Sequence, residues 1–154
     1  VLTRMERYVN RFLGKGGPIG IVVGIVVTVM VQSSSITTSI LVPLAGAGII
    51  TVYQVFPITL GANLGTTITA LLACLAVSGD KAEAARQIAL VHLFFNIAGI
   101  LVWYAPPPVR RLAPAMAERL AAYAARKRRW AIAYVIGIFY VAPAAIFFLS
   151  EALF

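Results

Sequence analysis

Eleven hydroxyl and amide side chains fall into two short clusters. The first is Gln32, Ser33, Ser34, Ser35, Thr37, Thr38 and Ser39; the second is Asn63, Thr66, Thr67 and Thr69. Hydroxyl and amide hydrogens donate to an oxyanion, and hydroxyl oxygens with freed backbone carbonyls coordinate a hard cation such as sodium. No catalytic set accompanies them. Ser33, Ser34 and Ser35 have no carboxylate in their block to build a triad, so the chain does not read as an enzyme. His92 is the single histidine, with Asn96 four residues on and therefore on the same helix face. A lone histidine on a packed helix reads first as a hydrogen-bonded structural residue; a functional role is the alternative if the helix lies in a membrane. Cys74, the one cysteine, excludes an internal disulfide framework and a multi-cysteine zinc site, and reads as a small packing residue.

The surroundings of the clusters decide what they can do. Of 154 residues 61% are hydrophobic and 12% charged, against about 45–50% and about 25% in soluble domains. So few charges cannot cover a water-soluble surface, and the composition is that of an integral membrane protein despite a net charge of +8. Residues 16–79 form 64 consecutive positions without Asp, Glu, Lys or Arg. Two further apolar runs, 88–105 and 130–149, are 18 and 20 residues long. Each matches a hydrocarbon core of about 30 Å at about 1.5 Å per helical residue. No signal-peptide pattern is present, and a chain opening on Val1 reads as a piece of something longer.

Within the uncharged block, 18–31 and 36–50 are two short apolar arms around the polar tip Gln32–Ser35. A 14-residue arm reaches only about 21 Å as a helix. That length favours a re-entrant hairpin, entering and leaving on one side; two tilted full spans with a Ser-rich turn are the alternative. Residues 52–78 are long enough to span, with a local break expected at the glycine-rich Gly61–Thr67 stretch. The chain thus divides into a basic segment 1–15, a hairpin 16–50, two transmembrane helices in 51–105 with an external loop 79–87, an amphipathic basic helix in 106–129, and a last transmembrane helix in 130–154.

Segments 1–15 and 106–129 carry eleven of the thirteen basic residues. The positive-inside rule therefore puts both in the cytoplasm, in a multi-pass protein of the plasma (inner) membrane. Trp103, Tyr104 and Trp130 flank the second segment as an interfacial belt would. Leu112, Met116, Leu120 and Tyr123 at helical spacing, with Arg126, Lys127, Arg128 and Arg129 after them, read as a helix lying on anionic lipid rather than as a nucleic-acid patch.

Single serines and threonines in membrane helices serve close packing. Two dense clusters at expected helix breaks instead read as a binding site of the kind transporters build. An oxyanion there finds donors but no Lys or Arg, and an uncompensated buried charge costs several kcal/mol. Co-bound cations are the simplest source of positive charge. The site therefore points to cation-coupled anion transport; a non-transporting, lipid-binding membrane component is the rival reading.

Three blocks carry a family resemblance. Val31-Gln32-Ser33-Ser34-Ser35, Gly61-Ala62-Asn63-Leu64-Gly65-Thr66-Thr67 and the stretch from Gln87 through His92 and Asn96 to Leu101 resemble, in content, order and spacing, the type II sodium–phosphate cotransporters. The resemblance implies an all-α polytopic fold: a re-entrant hairpin with a QSSS tip, followed by about three transmembrane helices, one half of an inverted-repeat transporter. The residues after the tip resemble that family's second repeat. It implies phosphate binding by Gln32, Ser33, Ser34, Ser35, Thr66 and Thr67, and sodium binding by Ser34, Ser35, Thr37, Thr38, Asn63 and Thr66. The implied partners are inorganic phosphate, co-transported sodium, the bilayer, and a second repeat from the same full-length chain or another copy. Another oxyanion, sulfate or a carboxylate, is the nearest alternative substrate.

Overall fold

The computed structural model describes residues 17–153, so the basic segment 1–15 lies outside the described residues. Every element among those residues is helical. The described residues fall into two compact units, divided after Pro114.

In the first unit, α1 (Ile19–Val31) and α2 (Ser34–Gly46) are 13 residues each. Gln32 and Ser33 alone separate them, a tighter tip than the four polar residues suggest. α1 stops because Gln32 turns left-handed, at φ 56° and ψ 27°. α2 starts at once because Ser33 is extended and its Oγ accepts from the Ile36 amide at 3.3 Å, satisfying one free donor of the new helix. α2 contains Pro43 and ends at Gly46 rather than running to Ile50. Gly48, at φ 73°, lets the chain reverse there. The Gly48 amide donates to the Ala45 carbonyl and the Ile49 amide to the Leu44 carbonyl, both at 3.0 Å, a Schellman closure.

α3 (Val52–Cys74) opens on a capping box. The Gln54 amide donates to Thr51 Oγ1 at 3.3 Å, and the Thr51 amide donates to Gln54 Oε1 at 2.8 Å. α3 then runs without interruption through Gly61 and Gly65, so the break expected there does not occur. The glycines serve close approach instead. A Cβ on Gly61 would collide with the Ile21 carbonyl oxygen, and one on Gly24 would meet the Ile58 carbonyl oxygen and lie 2.8 Å from the Ala62 nitrogen. A Cβ on Gly65 would lie 2.8 Å from Thr28 Cβ, and one on Gly20 2.9 Å from Pro57 Cγ. Gly20, Gly24 and Thr28, four apart, form the buried ridge of α1. Small ridges of this kind let helices pack backbone to backbone where burial of apolar surface gives no drive. The order of contacts, Gly20 on Pro57 through Thr28 on Gly65, makes α1 and α3 parallel. α2 returns antiparallel, linked to α1 through Thr37 and sharing a buried cluster of Leu41, Ile49, Ile50 and Ile58 with the start of α3.

After a 3-10 turn at Gly79–Lys81, α4 (Ala82–Trp103) begins within the span expected as an external loop. Phe56 meets Tyr104 with ring centroids 6.5 Å apart, so α4 runs antiparallel to α3. α5 (Val109–Arg126) follows the three prolines and contains Pro114. In the second unit, α6 (Arg128–Ile136), a π-helical turn (Gly137–Val141) and α7 (Ala142–Leu153) form one continuous rod. The wider turn lies just before Pro143, whose ring and missing N–H would disrupt an α-helical turn. Tyr123 and Trp130 meet at 6.2 Å between ring centroids. Among the described residues three helical stretches are long and apolar enough to cross a membrane: Val52–Cys74, Gly79–Trp103 and Arg129–Glu151.

Candidate functional site

The turn at Gln32 and Ser33 brings two opposite helix ends to one point. The C-terminus of α1 carries partial negative charge and the N-terminus of α2 partial positive charge. A cation is favoured at the first and an anion at the second, a residue or two apart. Gln32 and Ser35 are exposed there, and Ser33 and Ser34 are partly buried.

Hydroxyls hold this turn in shape. Thr28 Oγ1 donates to Thr37 Oγ1 at 2.9 Å, and Thr37 Oγ1 donates to the Ser33 carbonyl at 3.0 Å. Thr28 and Thr37 are buried, at 0% and 3% exposure, so this relay lies inside the packed hairpin. Thr38 Oγ1 donates to the Ser34 carbonyl at 2.9 Å and lies 3.2 Å from that of Ser35. Among the described residues no buried side-chain polar atom lacks a hydrogen-bond partner.

Beside the turn lies a cleft of about 370 Å³, lined by Ser34, Asn63, Thr66, His92, Phe95 and Asn96. Three helices build it. Ser34 comes from the first residue of α2; Asn63 and Thr66 lie on α3, off the face that Gly61 and Gly65 press against α1; His92, Phe95 and Asn96 lie on α4. The Asn96 amide donates to the His92 carbonyl at 3.3 Å, one turn earlier. Among the described residues no Lys, Arg, Asp or Glu lines the cleft.

The cleft therefore unites Ser34, Asn63 and Thr66 from the two sequence clusters. Gln32, Ser33, Ser35 and Thr38 sit at the turn but do not line it. Thr37 is part of the buried relay, and Thr67 is fully buried, its Oγ1 donating to the Leu64 carbonyl at 2.6 Å. Thr66 Oγ1 donates to the Ala62 carbonyl at 3.1 Å, leaving its lone pairs to accept or coordinate. Thr28 is a positioning residue the polar clusters do not announce; its four-residue spacing from Gly20 and Gly24 is the signal that finds it. His92 and Asn96, one helix face in sequence, prove to be the α4 wall.

A helical hairpin with a polar turn, beside an uncharged polar cleft and helices of membrane-spanning length, marks the chain as part of a membrane protein. The chain belongs to the Na+/Pi-cotransporter family, whose model matches residues 1–119. It is 48% identical over 136 residues to the sodium-dependent phosphate transport protein 2B of Homo sapiens, covering 88% of this chain and 20% of that protein. Against protein 2A of Ovis aries the identity is 47% over 136 residues, covering 88% and 21%. The chain thus spans about a fifth of the length of the curated relatives it matches. No solved structure matches it at a significant level.

Proposed function

We propose that this chain is one repeat of a sodium-coupled symporter of inorganic phosphate, and that the Gln32–Ser33 turn and its cleft are that repeat's half of the substrate site. The observation that carries this reading is the uncharged cleft beside the paired helix ends, with Ser34 belonging to both. Two sodium-dependent phosphate transport proteins at 47% and 48% identity support the choice of ions.

In this reading Gln32, Ser33, Ser34 and Ser35 donate to phosphate at the N-terminus of α2, and Thr66, whose hydroxyl hydrogen is engaged by the Ala62 carbonyl, serves through its oxygen. Ser34, Ser35, Thr38, Asn63 and Thr66 offer oxygens to sodium, which replaces the cationic side chains the cleft lacks. Thr37 and Thr67 serve from behind, as positioning residues. Sodium and phosphate then need each other: either ion alone leaves a charge several kcal/mol too costly to hold in the apolar body, and that interdependence couples their movement. The hairpin is re-entrant, since arms of 13 residues reach only about 20 Å. A second, inverted repeat completes the site. Segments 1–15 and 106–129 lie on the cytoplasmic side of the plasma (inner) membrane, and loop 79–87 lies outside.

The test is labelled phosphate uptake by proteoliposomes holding the full-length transporter, under an inward sodium gradient and a matched potassium gradient. Sodium-dependent uptake, competed by unlabelled phosphate and not by sulfate or carboxylates, is expected. Equal uptake in potassium removes the coupling, and competition by sulfate changes the substrate.

A further inference from the structure

A second polar cavity lies at the opposite end of α1, about 20 Å of helix from the turn. It measures about 330 Å³ and is lined by Gly17, Pro18, Tyr53, Phe56, Tyr104, Arg110 and Arg111. Its chemistry is the reverse of the first cleft, because two arginines line it. The Arg110 guanidinium carbon sits 5.9 Å from the Tyr104 ring centroid, a cation–π arrangement that holds one arginine over the cavity. Tyr104 is itself fixed, buried and packed on Phe56. Among the described residues the sole ion pair is Arg86 with Glu83, so no described carboxylate neutralises Arg110 or Arg111. Gly17 and Pro18 put the positive end of the α1 dipole at the same cavity.

We propose that this cavity binds a phosphate group of the phosphomonoester class, presented by an anionic lipid headgroup or as the free anion. Two arginines match in charge a group that carries about −1.5 to −2. Their planar forks donate pairwise to its oxygens, and the tyrosines wall the sides. The position favours the lipid source: Trp103 and Tyr104 close a helix of spanning length, next to the most basic segment described, and aromatic residues at such helix ends belong at headgroup level. Basic pockets between membrane helices on the cytoplasmic side hold anionic headgroups in this way. The lipid source rests on the cytoplasmic placement of segment 106–129 proposed above; the phosphate site itself stands on its own residues and does not depend on the transport reading.

The test titrates the purified full-length protein, in sodium-free buffer, with dioctanoyl phosphatidic acid, dioctanoyl phosphatidylcholine and inorganic phosphate, comparing wild type with Arg110→Gln/Arg111→Gln. At about 1 kcal/mol per arginine, the expected loss is about 5-fold for each and about 25-fold for both. A loss confined to phosphatidic acid supports the site with lipid as its source. An equal loss for inorganic phosphate supports it with the free anion admitted as well. Unchanged affinity for both phosphate probes, in a variant with the wild-type melting temperature, overturns the proposal. If the double variant does not fold, Arg110→Gln and Arg111→Gln singly carry the test, and no loss in either overturns it.

Discussion

Thr28 and Thr37, nine residues apart and on opposite arms of the hairpin, join hydroxyl to hydroxyl at 2.9 Å in a fully packed interior. Thr37 passes the bond on to the Ser33 carbonyl at 3.0 Å. The helix ridge of α1 is thereby connected to the backbone of the residue that caps α2. Replacing Thr28 by Val keeps the shape and removes the donor. The expected cost is about 1 kcal/mol, the scale of one hydrogen bond inside a membrane protein. A lower melting temperature in detergent for Thr28→Val, with Thr28→Ser closer to wild type, is the predicted pattern. Equal stability of wild type and Thr28→Val would show the bond to be idle.

The α1–α3 contact makes a sharper demand. Gly24→Ala drives a methyl group into the Ile58 carbonyl and the Ala62 amide, both backbone and unable to rotate aside. Destabilisation of at least about 1–3 kcal/mol is expected. Gly99→Ala meets nothing within 4 Å and gains helix propensity, up to about 1 kcal/mol. Thermal unfolding of the two variants of this chain should diverge in sign; a tolerated Gly24→Ala would contradict the packing described.

Much of this architecture was open to reading in sequence, and the failures have a common cause. The spacing of polar tip and apolar arms located the hairpin, because helix length follows directly from residue count. Gly61 and Gly65 were another matter. A glycine pair inside an apolar run is equally consistent with unwinding and with close packing, and the deciding atom, the Ile21 carbonyl, comes from forty residues upstream. Thr67 sits next to Thr66 yet is buried, since adjacent helical residues point about 100° apart. Which of the two faces the cleft depends on where α4 lies. The arginine cavity escaped because it joins four separate stretches of chain.

Gln32 is the sole non-glycine residue with positive φ among the described residues. A left-handed conformation costs a side-chain-bearing residue about 1 kcal/mol or more, and glycine is free of it. Gln32→Gly should therefore leave the melting temperature equal or higher while impairing sodium-dependent uptake. A variant that transports normally would assign Gln32 to the fold alone.

Burial pushes the Tyr104 phenol above its ordinary 10.0, and the Arg110 charge opposes part of that rise. A raised folded-state value means the neutral phenol is favoured by folding. The resulting stability is present below about pH 10 and is lost as pH rises through the folded value. Melting temperature measured across that alkaline range should fall more steeply for wild type than for Tyr104→Phe. Parallel curves would remove the burial effect.

Ser34 is where turn, helix end and cleft coincide, so losing its hydroxyl strikes all three. Phosphate dependence of sodium-driven uptake should be measured for wild type and Ser34→Ala full-length transporter in proteoliposomes, normalised to inserted protein. A hydrogen bond to a charged ligand contributes about 1.5–3 kcal/mol, so the KM for phosphate should rise about 10- to 100-fold, or uptake should vanish. An unchanged KM and an unchanged maximal rate would contradict the assignment of this cleft to phosphate.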